Sequence, residues 1–113
     1  MQYMLLICGV EGVEPEPGVD MAAETEAWVK DTNGRGVRVL GHRLRPVADA
    51  TTVRVRGTEV LVSDGPFAET KEQIFGFDVL ECTDLDEAIE VAARHPVARI
   101  GTIEVRPFWP TEV

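Results

Sequence analysis

Short apolar runs and alternating stretches along this chain predict β-strands. Residues 2–8 are almost wholly apolar and end at Gly9, a pattern typical of a buried central strand. Residues 51–56 (TTVRVR) alternate strictly between apolar and polar side chains, and a turn at Gly57 leads into a returning strand at residues 59–63. These two segments predict a β-hairpin. Further strands are predicted at residues 37–40, 75–82 and 101–106.

Helical periodicity predicts two main helices and a shorter one. Asp20 is placed to cap a helix at residues 21–32, whose apolar face comprises Met21, Thr25, Trp28 and Val29. Asp84 is the first residue of a capping box at the start of a second helix, residues 84–94. We expect the buried face of that helix to comprise Leu85, Ala88, Ile89, Ala92 and Ala93. The composition of residues 68–74 predicts a further helix of about two turns.

The order of these elements indicates a single α+β domain over residues 1–113. Two β-α-β halves around an antiparallel sheet predict a ferredoxin-like topology, into which the hairpin is inserted. Both helices of such a fold cover the same face of the sheet, so the opposite face needs another partner. A second copy of the chain can supply it. We therefore expect a homodimer.

The charge of the chain narrows the range of partners. Its 20 acidic and 11 basic side chains give a formal net charge of −9. An acidic chain argues against binding to nucleic acid or to an anionic membrane, because both favour basic surfaces. Residues 31–60 differ from the rest, since they hold six arginines and three acidic residues. This segment is either an ordinary solvated surface or a local anion-binding face.

The cysteines and the N-terminal residues bear on the cellular compartment. Cys8 and Cys82 lie in apolar, strand-like segments and lack the close spacing of redox or metal-binding pairs, so we expect buried, reduced thiols. The apolar run at residues 2–8 is short and has no basic residues before it, which favours a strand over a signal peptide or a membrane helix. A cytoplasmic location is therefore expected.

The most distinctive segment is DGPFAETKEQ at residues 64–73. Together with the opening strand, ATTVRVR, DLDEAIEVAARHP and GTIEVRPF, it resembles the DGPF-type branch of the YCII-related proteins over nearly the whole chain. The resemblance implies a ferredoxin-like fold that dimerises into a two-sheet α/β barrel, with a cleft between the sheet and the motif loop. It also implies a family of largely uncharacterised function, many of whose members are encoded near extracytoplasmic-function sigma factors.

A few proteins of the wider YCII group are similar to small-molecule lyases or dehalogenating enzymes that use a histidine–aspartate pair. The resemblance places that histidine on the first helix and the aspartate in an Asp-Pro step after the second. Here residues 21–32 contain no histidine, and the matching step is His95-Pro96. The pair is therefore absent from this sequence. We interpret His95 as a structural residue whose cation would suit the end of the second helix.

Asp64 is the candidate catalytic residue, and two roles remain open for it. At a strand end beside a Gly-Pro step, it is placed to act as a general base in a cleft. The same position favours a structural role, in which it accepts hydrogen bonds from its own turn and caps the predicted short helix. The candidate ligand-binding residues are all basic and are equally interpretable as solvated side chains, namely His42, Arg43, Arg45, Arg54 and Lys71.

Two functions fit these observations. The first is a dimeric accessory module that binds a small polar or anionic ligand or acts in regulation. The alternative is a small-molecule enzyme of the lyase or proton-transfer type with Asp64 as its base. The missing histidine–aspartate pair favours the first. The spacing of the two histidines predicts no metal site, and no cofactor-binding motif is recognised.

Overall fold

The structure is a computed structural model that describes residues 1–110. Its strands are β1 (Gln2–Gly9), β2 (Arg38–Arg43), β3 (Thr51–Arg56), β4 (Glu59–Asp64), β5 (Gln73–Glu81) and β6 (Thr102–Pro107). Its helices are α1 (Met21–Gly34) and α2 (Leu85–Ala93), with short 3-10 turns at Val47–Asp49 and Pro96–Arg99. The predicted α+β class is confirmed. Neither helix in this range has the length and apolar character needed to cross a bilayer.

Four strands form one antiparallel sheet in the order β2-β5-β1-β6. The two most apolar strands, β1 and β5, lie at its centre, where Tyr3 pairs with Leu80 and Ile7 with Gly76. β3 and β4 pair with each other in a separate two-stranded sheet. With this hairpin set aside, the strand order is compatible with the predicted ferredoxin-like topology.

The core lies between the two helices and one face of the four-stranded sheet. Alternate residues of β1 point to this face, and Tyr3, Leu5 and Ile7 are buried there. Trp28 of α1 and Val91 of α2 belong to the same buried cluster. The indole Nε1 of Trp28 donates a hydrogen bond to the carbonyl oxygen of Val91 at 3.0 Å. This bond joins the two helices across the core.

The opposite face of the sheet is apolar, and no helix of residues 1–110 lies over it. The intervening residues of β1, Met4, Leu6 and Cys8, point to this side and are half-buried. Phe77 and Val79 continue the surface on β5. We call these five residues the open face. Apolar area left in water costs about 25 cal/mol per Å², so burial of this face by a partner would be favourable.

The hairpin of β3 and β4 forms as predicted. Val53 pairs with Val62 and Val55 with Val60, which places all four side chains on one face. Each of them is more than half exposed. A two-stranded ribbon is marginally stable in water unless another surface covers it. We call these four valines the valine face. It is a second apolar surface that no other part of residues 1–110 buries.

The buried face of α2 differs from the predicted one. The residues buried against the sheet are Ala88, Val91 and Ala92. Three residues predicted to be buried are exposed instead, namely Leu85, Ile89 and Ala93. Apolar residues cover more than half of the circumference of this helix, so the periodicity alone could not fix which arc faces the sheet.

The predicted short helix at residues 68–74 does not form. Residues 66–72 have an irregular backbone and exposed side chains, and β5 begins at Gln73. An isolated helix of two turns is unstable in water without a buried face. The pairing of Gln73 with Gly9 and of Ile74 with Cys8 draws the end of the segment into the sheet instead.

Candidate functional site

A cleft of about 1100 Å³ lies on the helix side of the sheet. Its walls are α1, the loop that follows β1, and the neighbouring strands β2 and β5. Apolar side chains provide most of its lining, among them Val10, Met21, Trp28, Val29, Leu44 and Phe75. We call it the helix-side cleft. A partly open apolar cleft of this size is large enough to hold a small organic molecule.

Asp78 lines this cleft with one oxygen of its carboxyl group held by Arg38. The Nε of Arg38 donates to Asp78 Oδ1 at 2.8 Å, and its Nη2 donates to the carbonyl oxygen of Gly41 at 3.0 Å. Asp78 is only 6% exposed. Burial raises the pKa of its carboxyl group, although the bond to Arg38 opposes the rise. Within residues 1–110 no hydrogen bond reaches the other oxygen, Oδ2, so an acceptor is left unused.

Gly41 makes room for this ion pair. A Cβ atom at position 41 would overlap Asp78 Oδ1 and would lie 2.7 Å from Arg38 Nη2. The sequence predicts that β2 ends at Gly41, but the strand continues to Arg43. The prediction is wrong because this glycine allows close packing and does not end the strand.

His95 is buried just after α2 and lines the same cleft. Its Nδ1 accepts a hydrogen bond from the backbone N–H of Val97 at 3.1 Å, and its ring meets Trp28 edge-on with the ring centroids 4.7 Å apart. Burial lowers the pKa of the imidazole to about 4. The ring is therefore neutral at pH 7, with its proton on Nε2. The expectation that His95 carries a positive charge at the end of α2 is wrong. Burial disfavours the charged imidazole more than the helix dipole favours it.

We expect His95 to reduce the stability of the folded chain as the pH falls below neutrality. Its pKa is about 4 in the folded state and about 6.5 when unfolded. Between these values the unfolded chain binds a proton that the folded chain does not. The free energy of unfolding should therefore fall by roughly 3 kcal/mol across this range.

Urea melts at pH 7 and pH 4.5 test this expectation in wild type and His95→Asn. The variant should lose clearly less stability over this interval than wild type. The raised pKa of Asp78 acts in the opposite direction, favouring the folded state as the pH falls, but it is common to both proteins. An identical pH dependence in the two proteins would contradict the assignment to His95.

Arg43 places a positive charge at the cleft. It lies opposite Gly76 in the pairing of β2 with β5, and it lines the cleft. Within residues 1–110 no carboxylate forms an ion pair with its guanidinium group. Arg45 also lines the cleft, but its Nε donates to Asp49 Oδ2 at 3.0 Å. His42 is also among the residues that border the cleft, but it pairs with Phe77 and its ring lies 6.0 Å from the Phe77 ring, on the side of the open face.

Comparison with known proteins identifies the family. The sequence model of the YCII-related domain matches residues 1–112. The chain belongs to the YCII-related family. An uncharacterized protein of Rhizobium meliloti (strain 1021) is 39% identical over 101 residues, which cover 74% of this chain and 82% of that protein. The YCII-related family expected from the sequence is confirmed, and its DGPF-type branch stays a prediction.

In this YCII-related chain, Asp64 is exposed at the end of β4. The turn after it is held by other groups: the N–H of Gly65 donates to the carbonyl oxygen of Ala50 at 2.7 Å, and the hydroxyl of Thr52 donates to that of Gly65 at 2.8 Å. The Asp64 side chain makes no hydrogen bond within residues 1–110, and the helix that it was predicted to cap does not form. Asp64 does not line the helix-side cleft.

A smaller cleft of about 600 Å³ lies beside the motif loop, residues 65–72. Pro66 and Phe67 line it, as expected for a cleft between the sheet and this loop. Asp64, Arg54 and Lys71 line neither cleft. The structure therefore brings Arg43 and Arg45 together at the helix-side cleft, whereas the His42 ring lies beside Phe77 of the open face and the other three candidates line neither cleft.

The histidine–aspartate pair that the resemblance implies is not formed at its expected positions. α1 carries no histidine, and His95 stands where the aspartate of the Asp-Pro step would be. Asp78 was missed as a site residue, although the sequence carries a signal for it. It is an acid in the interior of an apolar strand, and alternation places it on the same face as the buried Leu80.

Proposed function

We propose that this protein is a homodimeric, DGPF-type YCII-related module that binds a small organic anion in the helix-side cleft. The observation that carries the proposal is Arg43, a cation at an apolar cleft with no ion-pair partner among residues 1–110. Trp28, Val29 and Phe75 offer an apolar surface to the rest of the ligand. A guanidinium group beside such a surface favours a carboxylate with an aromatic or aliphatic body.

The other charges of the cleft support an anionic ligand. Asp78 is bonded to Arg38. Glu11 accepts a hydrogen bond from the backbone N–H of Val47 at 3.4 Å. Glu11 keeps its negative charge, because the N–H of Val47 is neutral, but the arginines of the lining outnumber its acids, since Arg38, Arg43 and Arg45 all line the cleft.

Replacing Arg43 with glutamine is expected to weaken the binding of 3-phenylpropionate, a simple aromatic carboxylate, by about tenfold or more. A hydrogen bond to a charged group contributes about 1.5–3 kcal/mol, and 1.4 kcal/mol is tenfold in affinity. Isothermal titration of wild type, Arg43→Gln and Arg56→Gln measures the change. Arg56 lines neither cleft, so its variant should bind like wild type. Equal affinities of wild type and Arg43→Gln would refute the role of this residue.

An enzymatic role for Asp64 receives less support from the geometry. A general base must come within hydrogen-bond reach of the bound substrate. The Asp64 carboxylate is exposed and lines neither cleft. Ligand binding in the helix-side cleft is therefore the function that the arrangement of side chains favours.

We also propose a cytoplasmic location for the protein. Cys8 and Cys82 are free thiols. Thiols stay reduced in that compartment, whereas paired cysteines are common in oxidising ones.

A second copy of the chain is proposed to cover the open face, giving the two-sheet barrel that the family resemblance implies. The open face is a continuous apolar surface on the two central strands, and the valine face is a further apolar surface of the same chain. A two-fold related copy would present the same surfaces in return, which is the usual geometry of a homodimer.

Light scattering at micromolar concentration is expected to give a mass twice that of the 12.4 kDa chain. Leu6→Glu, at the centre of the open face, should shift the protein towards the monomer because it places a charge in the interface. Ile89→Glu is the matched control, since Ile89 is an exposed apolar residue on the outer side of α2. A folded wild-type monomer would contradict the dimer.

A further inference from the structure

We propose that Arg38 and Asp78 are positioning residues, which hold a β-bulge of β2 in place and thereby direct Arg43 into the helix-side cleft. This inference rests on the proposed function, in which Arg43 binds the ligand anion. A β-bulge is an extra residue in one of two paired strands, and such bulges re-aim side chains beside functional sites. Arg38 and Asp78 therefore act on the ligand through Arg43 and need not contact it.

The extra residue of β2 is Val39. Arg38 pairs with Leu80 of β5 and Leu40 pairs with Val79, so Val39 between them has no residue opposite it in β5. The pairing then continues regularly to the end of β2. The bulge therefore shifts the second half of β2 by one residue relative to β5.

This shift decides which side chains of β2 face the helices. Directly paired residues point to the same face of a sheet. Arg43 pairs with Gly76, which lies on the buried face of β5. A regular ladder from the start of β2 would instead place His42 opposite Gly76, and Arg43 would point to the side of the open face. The His42 ring, whose centroid lies 6.0 Å from that of Phe77, is placed as the bulged pairing requires.

Hydrogen bonds from one side chain span the bulge. The Nε of Arg38 donates to Asp78 Oδ1 at 2.8 Å, and its Nη2 donates to the carbonyl oxygen of Gly41 at 3.0 Å. Arg38 precedes the extra residue and Gly41 follows it, so the two sides of the bulge are joined. The side chains of the ion pair are only 14% and 8% exposed, which strengthens these charge-assisted bonds. We call Arg38, Asp78 and Gly41 the bulge clamp.

Without the bulge clamp, the regular ladder is the favoured pairing. A bulge leaves its extra residue unpaired and disrupts the ladder, whereas regular pairing would place Val39 opposite Val79 as an apolar pair. It would also place Leu40 opposite Asp78. A Cβ atom at the position of Gly41 overlaps Asp78 Oδ1, so a leucine there would displace the carboxyl group from its present place. The clamp therefore selects the bulged register.

Removal of the ion pair tests the role of the bulge clamp. The double variant Arg38→Met, Asp78→Leu replaces both charges with apolar side chains of similar size, a change that folded proteins often tolerate. We expect the second half of β2 to slip into the regular register. The nuclear Overhauser effect (NOE) between the rings of His42 and Phe77 should be lost. The affinity for 3-phenylpropionate should fall by about tenfold or more, as in Arg43→Gln.

Deletion of Val39 from the double variant is the decisive comparison. Without the extra residue, regular pairing itself places Arg43 opposite Gly76, so the clamp is no longer needed. Both the NOE and the affinity should return towards their wild-type values. A direct contact of Arg38 with the ligand would not be restored by this deletion.

The two measurements also separate this inference from the proposed function. Retention of the NOE and of the affinity in the double variant, or their loss without recovery after the deletion, would overturn the role of the bulge clamp and leave that of Arg43 intact. Deletion of Val39 alone should preserve both signals, and loss of either would overturn the inference even where the double variant fails to fold. Failure of the wild type to bind 3-phenylpropionate at millimolar concentration would overturn the proposed function, and the NOE would still decide whether the clamp sets the register.

Discussion

Replacing Val91 with aspartate is expected to destabilise the fold far more than the same change at Ile89. Val91 is fully buried between α2 and the sheet, whereas Ile89 is 50% exposed on the same helix. A carboxylate at position 91 would be buried in an apolar cluster without a partner, at a cost of about 4 kcal/mol or more. At position 89 it would remain in water, and the cost should stay below about 1 kcal/mol.

Urea melts of wild type and both variants measure the two differences. This comparison is sharp because the periodicity of the sequence alone predicts the opposite for Ile89. A large loss of stability in Ile89→Asp with little change in Val91→Asp would mean that α2 packs through the other arc of its surface. The core described for residues 1–110 would then be wrong.

The second large effect is expected from Gly41→Ala. The added Cβ would overlap Asp78 Oδ1 and crowd Arg38 Nη2. The buried ion pair could then no longer form as it stands. Breaking a buried pair while leaving one charge uncompensated costs about 3–5 kcal/mol. We therefore expect a loss of that order in the free energy of unfolding, together with loss of ligand binding in the cleft.

Gly34→Ala is the matched control for this change. No atom lies within 4 Å of a Cβ built at Gly34, which ends α1. Alanine there should be neutral or slightly stabilising, because it restricts the unfolded chain. Thermal melts of the two variants distinguish crowding from a general effect of losing a glycine. An unchanged melting temperature in Gly41→Ala would contradict the packing of Asp78 against β2.

The strands were predictable because their signal is local. The alternation in residues 51–56 and the apolar run in residues 2–8 each determine a strand without reference to the rest of the chain. The buried arc of α2 was not predictable in this way. Leu85 and Ile89 are as apolar as Val91, and only the packing of the helix on the sheet decides between them. The helix predicted at residues 68–74 failed for a related reason. Its residues have helical propensity, but a helix there would bury no face against the rest of the chain.

The candidate site was predictable only in part. Arg43 was found as a member of an arginine-rich segment, but Asp78 and Gly41 are far apart in the sequence. Their contact depends on the pairing of β2 with β5, which the sequence does not determine. His95 was expected to be charged because its burial could not be foreseen. The distinctive motif at residues 64–73 lies outside the helix-side cleft, so it did not point to this site.

The most direct test of the central claim uses the two tryptophans of the chain as internal reporters. Trp28 lines the helix-side cleft, whereas Trp109 is 85% exposed and lines neither cleft. Fluorine NMR of 5-fluorotryptophan-labelled protein, assigned with Trp109→Phe, follows both during titration with 3-phenylpropionate. A saturable shift of the Trp28 resonance with an unchanged Trp109 resonance is predicted. A shift of Trp109 alone, or of neither resonance, would contradict binding in this cleft.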